Sequence, residues 1–116
     1  MESRITNIID ILSKKINKSG EDIDSQTLAT LYYLKGKQNF VIGKFNIAKE
    51  EFSQAIKLNP NYAQAYYERG LCFISEKQYL QAKEDFNLGI GIDETILDKN
   101  KRLKKMLKLT NEITNK

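Results

Sequence analysis

The chain has no histidine, no tryptophan, one cysteine and one proline. Without histidine it lacks the side chain best suited to general base work near neutral pH, and the commonest metal ligand. A lone cysteine, Cys72, excludes an internal disulfide. It stands two residues after Gly70, on a helical stretch, and reads as a packed thiol of the inert kind. No apolar run approaches the roughly 20 residues that a membrane-spanning helix needs. The opening MESRITNIIDILSKK alternates isoleucine with polar residues, unlike the continuous apolar core of a signal peptide. These absences predict a cytoplasmic setting and no membrane partner.

Motifs for phosphate chemistry are missing too. Gly89-Ile90-Gly91 lacks a third glycine and a preceding strand, and Gly43-Lys44 is followed by Phe45 rather than Ser or Thr. Glu50-Glu51 and Glu84-Asp85 each follow a lysine and read as solvated helix faces. No catalytic residue, cofactor or metal site is therefore expected.

What the chain does have is a repeat. Shifted by 34 residues, it carries Ala29, Tyr32, Tyr33, Gly36, Ala48, Lys49, Glu50, Phe52 and Ile56 onto Ala63, Tyr66, Tyr67, Gly70, Ala82, Lys83, Glu84, Phe86 and Ile90. Phe45/Tyr79, Glu51/Asp85 and Leu58/Ile92 nearly match. The small residues recur as faithfully as the large ones. Gly36, Ala48 and Ala55, with Gly70, Ala82 and Gly89, permit close helix approach against Tyr32, Phe52, Tyr66 and Phe86. A period of this length, read as two short helices per unit, is the signature of a stacked array.

The pattern resembles the tetratricopeptide repeat (TPR) family, on Tyr32, Gly36, Ala48, Phe52 and Pro60 in one unit and Tyr66, Gly70, Phe73, Ala82 and Phe86 in the next. It departs from the family where Lys35 and Arg69 replace the leucine before each glycine, where Asn39 replaces an aromatic, and where Glu94 replaces the second proline. The resemblance implies an all-α fold, a right-handed α-solenoid of about six helices in helix-turn-helix repeats. It divides one 116-residue domain into a packing helix (1–18), repeat 1 (29–62), repeat 2 (63–94) and a capping helix (95–116).

Helix signals agree with that division. Ile5, Ile8, Ile9, Leu12 and Ile16 form one stripe after Ser3, a plausible N-cap, and Ser19-Gly20 ends it. Repeat 1 reads as helices over about 25–42 and 45–58, with Gly43 as a left-handed stop and Asn59-Pro60 as stop and restart. Repeat 2 reads as helices over about 61–76 and 79–90, with a turn near Lys77 and an end loosened by Gly89 and Gly91. A single tail helix is expected over about 94–115, with Ile96, Leu103, Met106, Leu107 and Ile113 on its apolar side.

Such an array implies a concave surface lined by the first helix of each pair. The family's groove positions fall on Thr30, Tyr33, Lys37 and Val41, then on Gln64, Tyr67, Leu71 and Ser75. Tyrosines give a large amphipathic contact area with few torsions to freeze. The implied partner is a peptide or helix of another protein. The chaperone-tail subclass is not expected, because Lys37 stands without asparagine partners. A second reading rests on charge. From Leu97 onward seven Lys or Arg face two acids, a local +5 that leaves −1 for residues 1–96. Lys101, Lys104, Lys105 and Lys108 share a face there, which could meet a polyanion or nucleic acid. No aromatic is interleaved for base stacking, so a soluble cap is the favoured role. Self-association is the third reading, leaving a monomer or weak homo-oligomer.

Overall fold

The computed structural model describes residues 24–115. Among them lie six helices and no strand. The chain divides into two compact units that part in sequence between Pro60 and Asn61. The expected packing helix over residues 1–18 lies outside the described residues.

In the first unit, α1 spans Ser25–Val41 and α2 spans Phe45–Leu58. Asp24 caps α1 by accepting the Thr27 amide at 2.7 Å. That amide bond holds the Asp24 carboxyl below its ordinary range. At the far end Gly43 takes φ +83°. Its N–H donates to Phe40 O at 3.0 Å, and Lys44 N–H donates to Asn39 O at 2.9 Å, which together make a Schellman stop. The chain then reverses and packs α2 on α1. A Cβ on Gly36 would lie 2.7 Å from Phe52 Cε1, so only glycine admits that ring. Phe52, Ala29, Ala48 and Ala55 are fully buried around the contact.

The second unit repeats the scheme with α3 over Ala63–Ser75 and α4 over Tyr79–Ile92. Gly70 faces Phe86, whose Cε1 would lie 2.5 Å from an added Cβ. The turn is again a Schellman stop, with Lys77 N–H on Ile74 O at 3.0 Å and Gln78 N–H on Phe73 O at 2.9 Å. Here the left-handed residue is Lys77, at φ 61°.

Two tail expectations are corrected. Helix α4 runs through Gly89 and Gly91 to Ile92 instead of loosening. Gly89 packs toward the Ala63 carbonyl, 3.1 Å from where its Cβ would be, and accepts the Asp93 amide at 3.0 Å. The single tail helix is two, α5 over Ile96–Lys99 and α6 over Lys101–Thr114. Asn100 sits extended between them and accepts the Leu103 amide at 3.1 Å. Its side chain thus caps a fresh start rather than continuing a turn. Leu103, Thr110 and Ile96 are buried, whereas Ile113, expected on the inner stripe, is exposed.

Candidate interaction surface

On α1, residues 30, 33, 37 and 41 fall along one side at helical spacing. Thr30, Lys37 and Val41 are exposed and Tyr33 is half-buried. The Tyr33 ring leans on Phe52, centroid to centroid 5.9 Å. The Lys37 ammonium lies over the same ring, 5.6 Å from its centroid, a cation–π distance. The Thr30 hydroxyl turns back to Gln26 O at 3.0 Å. The first unit therefore presents an open strip with one aromatic, one cation and one aliphatic side chain.

The matching positions of α3 differ. Gln64 and Ser75 are exposed, and the Ser75 hydroxyl donates to Cys72 O at 2.6 Å. Tyr67 and Leu71 are 4% and 6% exposed, so they belong to the packing of their own unit. Tyr67 contacts the Phe86 ring at 5.9 Å. Burial pushes its phenol up, Glu68 adds to this, and Arg102 and the Asn100 side chain pull it back. Those last two residues place the α5–α6 corner beside Tyr67. Sequence reasoning missed that cover because it read the tail as one straight helix. Cys72 is fully buried.

The acidic pairs need a correction. Asp85 is 2% exposed and accepts both arms of the Arg69 guanidinium, Nε at 2.8 Å and Nη2 at 2.7 Å. In the first unit Lys35 and Glu51 stand at the same two positions, with Nζ 3.7 Å from the carboxylate. Glu50 and Glu84 are exposed as expected, but Glu51 and Asp85 turn inward. The charges that break the family's leucine position reach across to the partner helix, and burial is affordable because each acid meets a cation. The signal was present, since both signs recur at the same offset.

On α6, Lys101, Lys104, Lys105 and Lys108 are all exposed, opposite the buried Leu103. A shallow cleft of about 470 Å³ lies in the second unit between the start of α4 and the end of α6, with Leu80 and Ile113 in its lining. Among the described residues no group of three or more His, Cys, Asp or Glu gathers to hold a metal. No helix there is long and apolar enough to cross a membrane.

Two family profiles match the chain, "TPR repeat" over residues 36–74 and "Tetratricopeptide repeat" over residues 63–96. An uncharacterised protein of Methanocaldococcus jannaschii is 32% identical over 71 residues, 61% of this chain and 83% of that protein. The DnaJ homolog subfamily C member 7 of Homo sapiens is 34% identical over 61 residues, 53% of this chain. The RNA polymerase II-associated protein 3 of Xenopus tropicalis is 33% identical over 69 residues, 60% of this chain. The matched stretch spans only 12% and 10% of those two proteins. A crystal structure of MamA is similar at a TM-score of 0.73 and 28% identity, covering 96% of this chain and 59% of that one. A second MamA structure gives 0.70 and 29%, covering 93% and 54%. The fold class is the all-α solenoid class of these repeats. With both repeats matched and their glycine-on-phenylalanine contacts in place, the chain belongs to the tetratricopeptide repeat family.

Proposed function

We propose that the protein is an adaptor that binds a peptide or helix of a partner protein along the open strip of α1. The observation that carries this reading is the half-buried Tyr33 ring, resting on Phe52 with the Lys37 ammonium over it. An aromatic fixed before the partner arrives loses little freedom on binding. Thr30 and Val41 extend the strip above and below, and Gln64 and Ser75 are the exposed groove positions of α3. Tyr67 and Leu71 act as support from within the second unit. TPR proteins serve as interaction modules, and no catalytic role is proposed. A cytoplasmic monomer or weak homo-oligomer goes with this reading.

A second reading has one observation in its favour, the shared exposure of Lys101, Lys104, Lys105 and Lys108. They could meet a polyanion, though we assign them to solubility of the capping helix. Affinity capture followed by mass spectrometry tests the two. Partners retained by the wild-type chain should be lost with Tyr33→Ala and with Lys37→Glu, the latter at an exposed site. Partners that survive both changes and are lost with Lys104→Glu and Lys105→Glu would replace the α1 reading with the polyanion one.

A further inference from the structure

The two repeats make the same turn with different surfaces. Each closes its first helix with the same pair of amide bonds, around Gly43 in one and Lys77 in the other. At the aligned positions, however, Val41, Ile42 and Ile47 stand where the second repeat has Ser75, Glu76 and Gln81. Lys37 and Lys44 stand where it has Leu71 and Gln78. The second repeat thus serves as an internal control. Polar residues satisfy this turn, so folding does not require the aliphatic ones.

Yet the first repeat spends three aliphatic side chains on water. Val41 is 79% exposed, Ile42 54% and Ile47 47%. Across the same turn Phe40 and Phe45 meet edge to face at 5.1 Å. Two cations stand close to the three aliphatic residues in sequence, while Lys35 further back is paired with Glu51. Lys37 and Lys44, both exposed, flank the turn, and the nearest acids in sequence, Glu50 and Glu51, lie further along α2. An apolar centre with a polar rim is the anatomy of an interaction patch.

We infer that the α1–α2 turn of the first repeat docks an acidic segment of a partner protein with an aliphatic anchor. The anchor covers Val41, Ile42 and Ile47, while its flanking carboxylates meet Lys37 and Lys44. This rests on α1 as the partner-binding helix and names the chemistry of its partner. An anionic lipid surface fits less well. Electrostatic adhesion to it uses clusters of about four to eight cations where the turn has Lys37 and Lys44, and the turn lacks the Trp or Tyr of an interfacial anchor.

The test is an NMR titration of the full chain with a short synthetic peptide in which Ile-Leu is flanked by Asp and Glu. Two companion peptides replace Ile-Leu by Ser-Ser, or the acids by Lys. Phosphatidylcholine vesicles with and without phosphatidylserine form the last arm. The acidic aliphatic peptide should shift the amides of residues 40–47, and added salt should weaken it. The double variant Val41→Ser/Ile42→Glu, which carries the second repeat's own residues, should bind about tenfold more weakly and melt as the wild type does. Equal binding of either companion peptide would overturn the inference, as would vesicle binding without peptide binding. If peptide shifts cluster around Tyr33 and ignore the double variant, the docking turn is wrong while the α1 reading stands.

Discussion

Arg69 grips Asp85 with two hydrogen bonds of 2.8 and 2.7 Å, and the carboxylate side chain is only 3% exposed. Burial pushes the Asp85 carboxyl up, against the pull of Arg69. Removing the guanidinium leaves that burial unopposed. Arg69→Met should therefore cost about 2–4 kcal/mol, and Arg69→Met/Asp85→Leu should recover most of it. The pH sign follows. A folded-state pKa above the unfolded one favours the fold at low pH and loses that advantage as pH rises through the folded value. The deficit of Arg69→Met should thus be larger near neutral pH than near about pH 4. Melts of both proteins at the two pH values check this, and equal deficits would refute it.

The corresponding pair of the first unit should matter far less. Lys35 is 3.7 Å from Glu51, with 40% of its side chain exposed, so solvent screens the attraction. Lys35→Met should cost no more than about 1 kcal/mol, measured by urea unfolding beside Arg69→Met.

Lys77 holds a left-handed conformation at φ 61°, where its Cβ crowds the following carbonyl. Lys77→Gly should relieve this and stabilise the protein by about 0.5–1 kcal/mol. Gly43→Ala, at φ +83°, should lose about 1 kcal/mol by the reverse argument. Denaturation midpoints moving the same way for both would show that the turns are not alike.

Glycines inside helices split by what lies over them. A Cβ on Gly70 would sit 2.5 Å from Phe86, whereas one on Gly91 would meet nothing within 4 Å. Gly70→Ala should cost about 1–3 kcal/mol by overpacking. Gly91→Ala should gain about 0.5–1 kcal/mol from helix propensity. Thermal melts separate the two directly.

Much of this fold was legible because its contacts repeat. Gly36 on Phe52 and Gly70 on Phe86 are one contact written twice, and a fixed offset exposes it. What escaped notice occurs once or depends on tertiary cover. Asn100 breaks the tail helix through a side-chain bond to the Leu103 amide, and asparagine carries no periodic signal. Tyr33 and Tyr67 are the same residue type at the same repeat position, so the sequence treats them alike. Tyr67, with Asn100 and Arg102 of the α5–α6 corner beside it, is the interior one.

That difference yields the last prediction. Tyr67 is 4% exposed, against Phe86 and beside Asn100 and Arg102. Tyr33 rests on Phe52 at the same 5.9 Å but is only half-buried. Truncating Tyr67 to alanine removes a buried aromatic and should cost about 3–5 kcal/mol. Tyr33→Ala loses only a half-buried ring and should cost about 1–2 kcal/mol, since the transfer term scales with the apolar area removed from water. Binding should rank the other way. Tyr33→Ala should weaken a bound partner by about 2 kcal/mol or more, as at interface hot spots. Asn100→Ala provides a control that leaves both rings intact. It removes the α6 cap and one hydrogen-bond partner of Tyr67, so it should lower the melting temperature without touching the α1 strip. Calorimetric melts and titrations on the three variants check the set. Equal destabilisation by the two tyrosine changes would mean that the α5–α6 corner does not bury Tyr67, and partner loss in Asn100→Ala at temperatures where it remains folded would move the binding face to the second repeat.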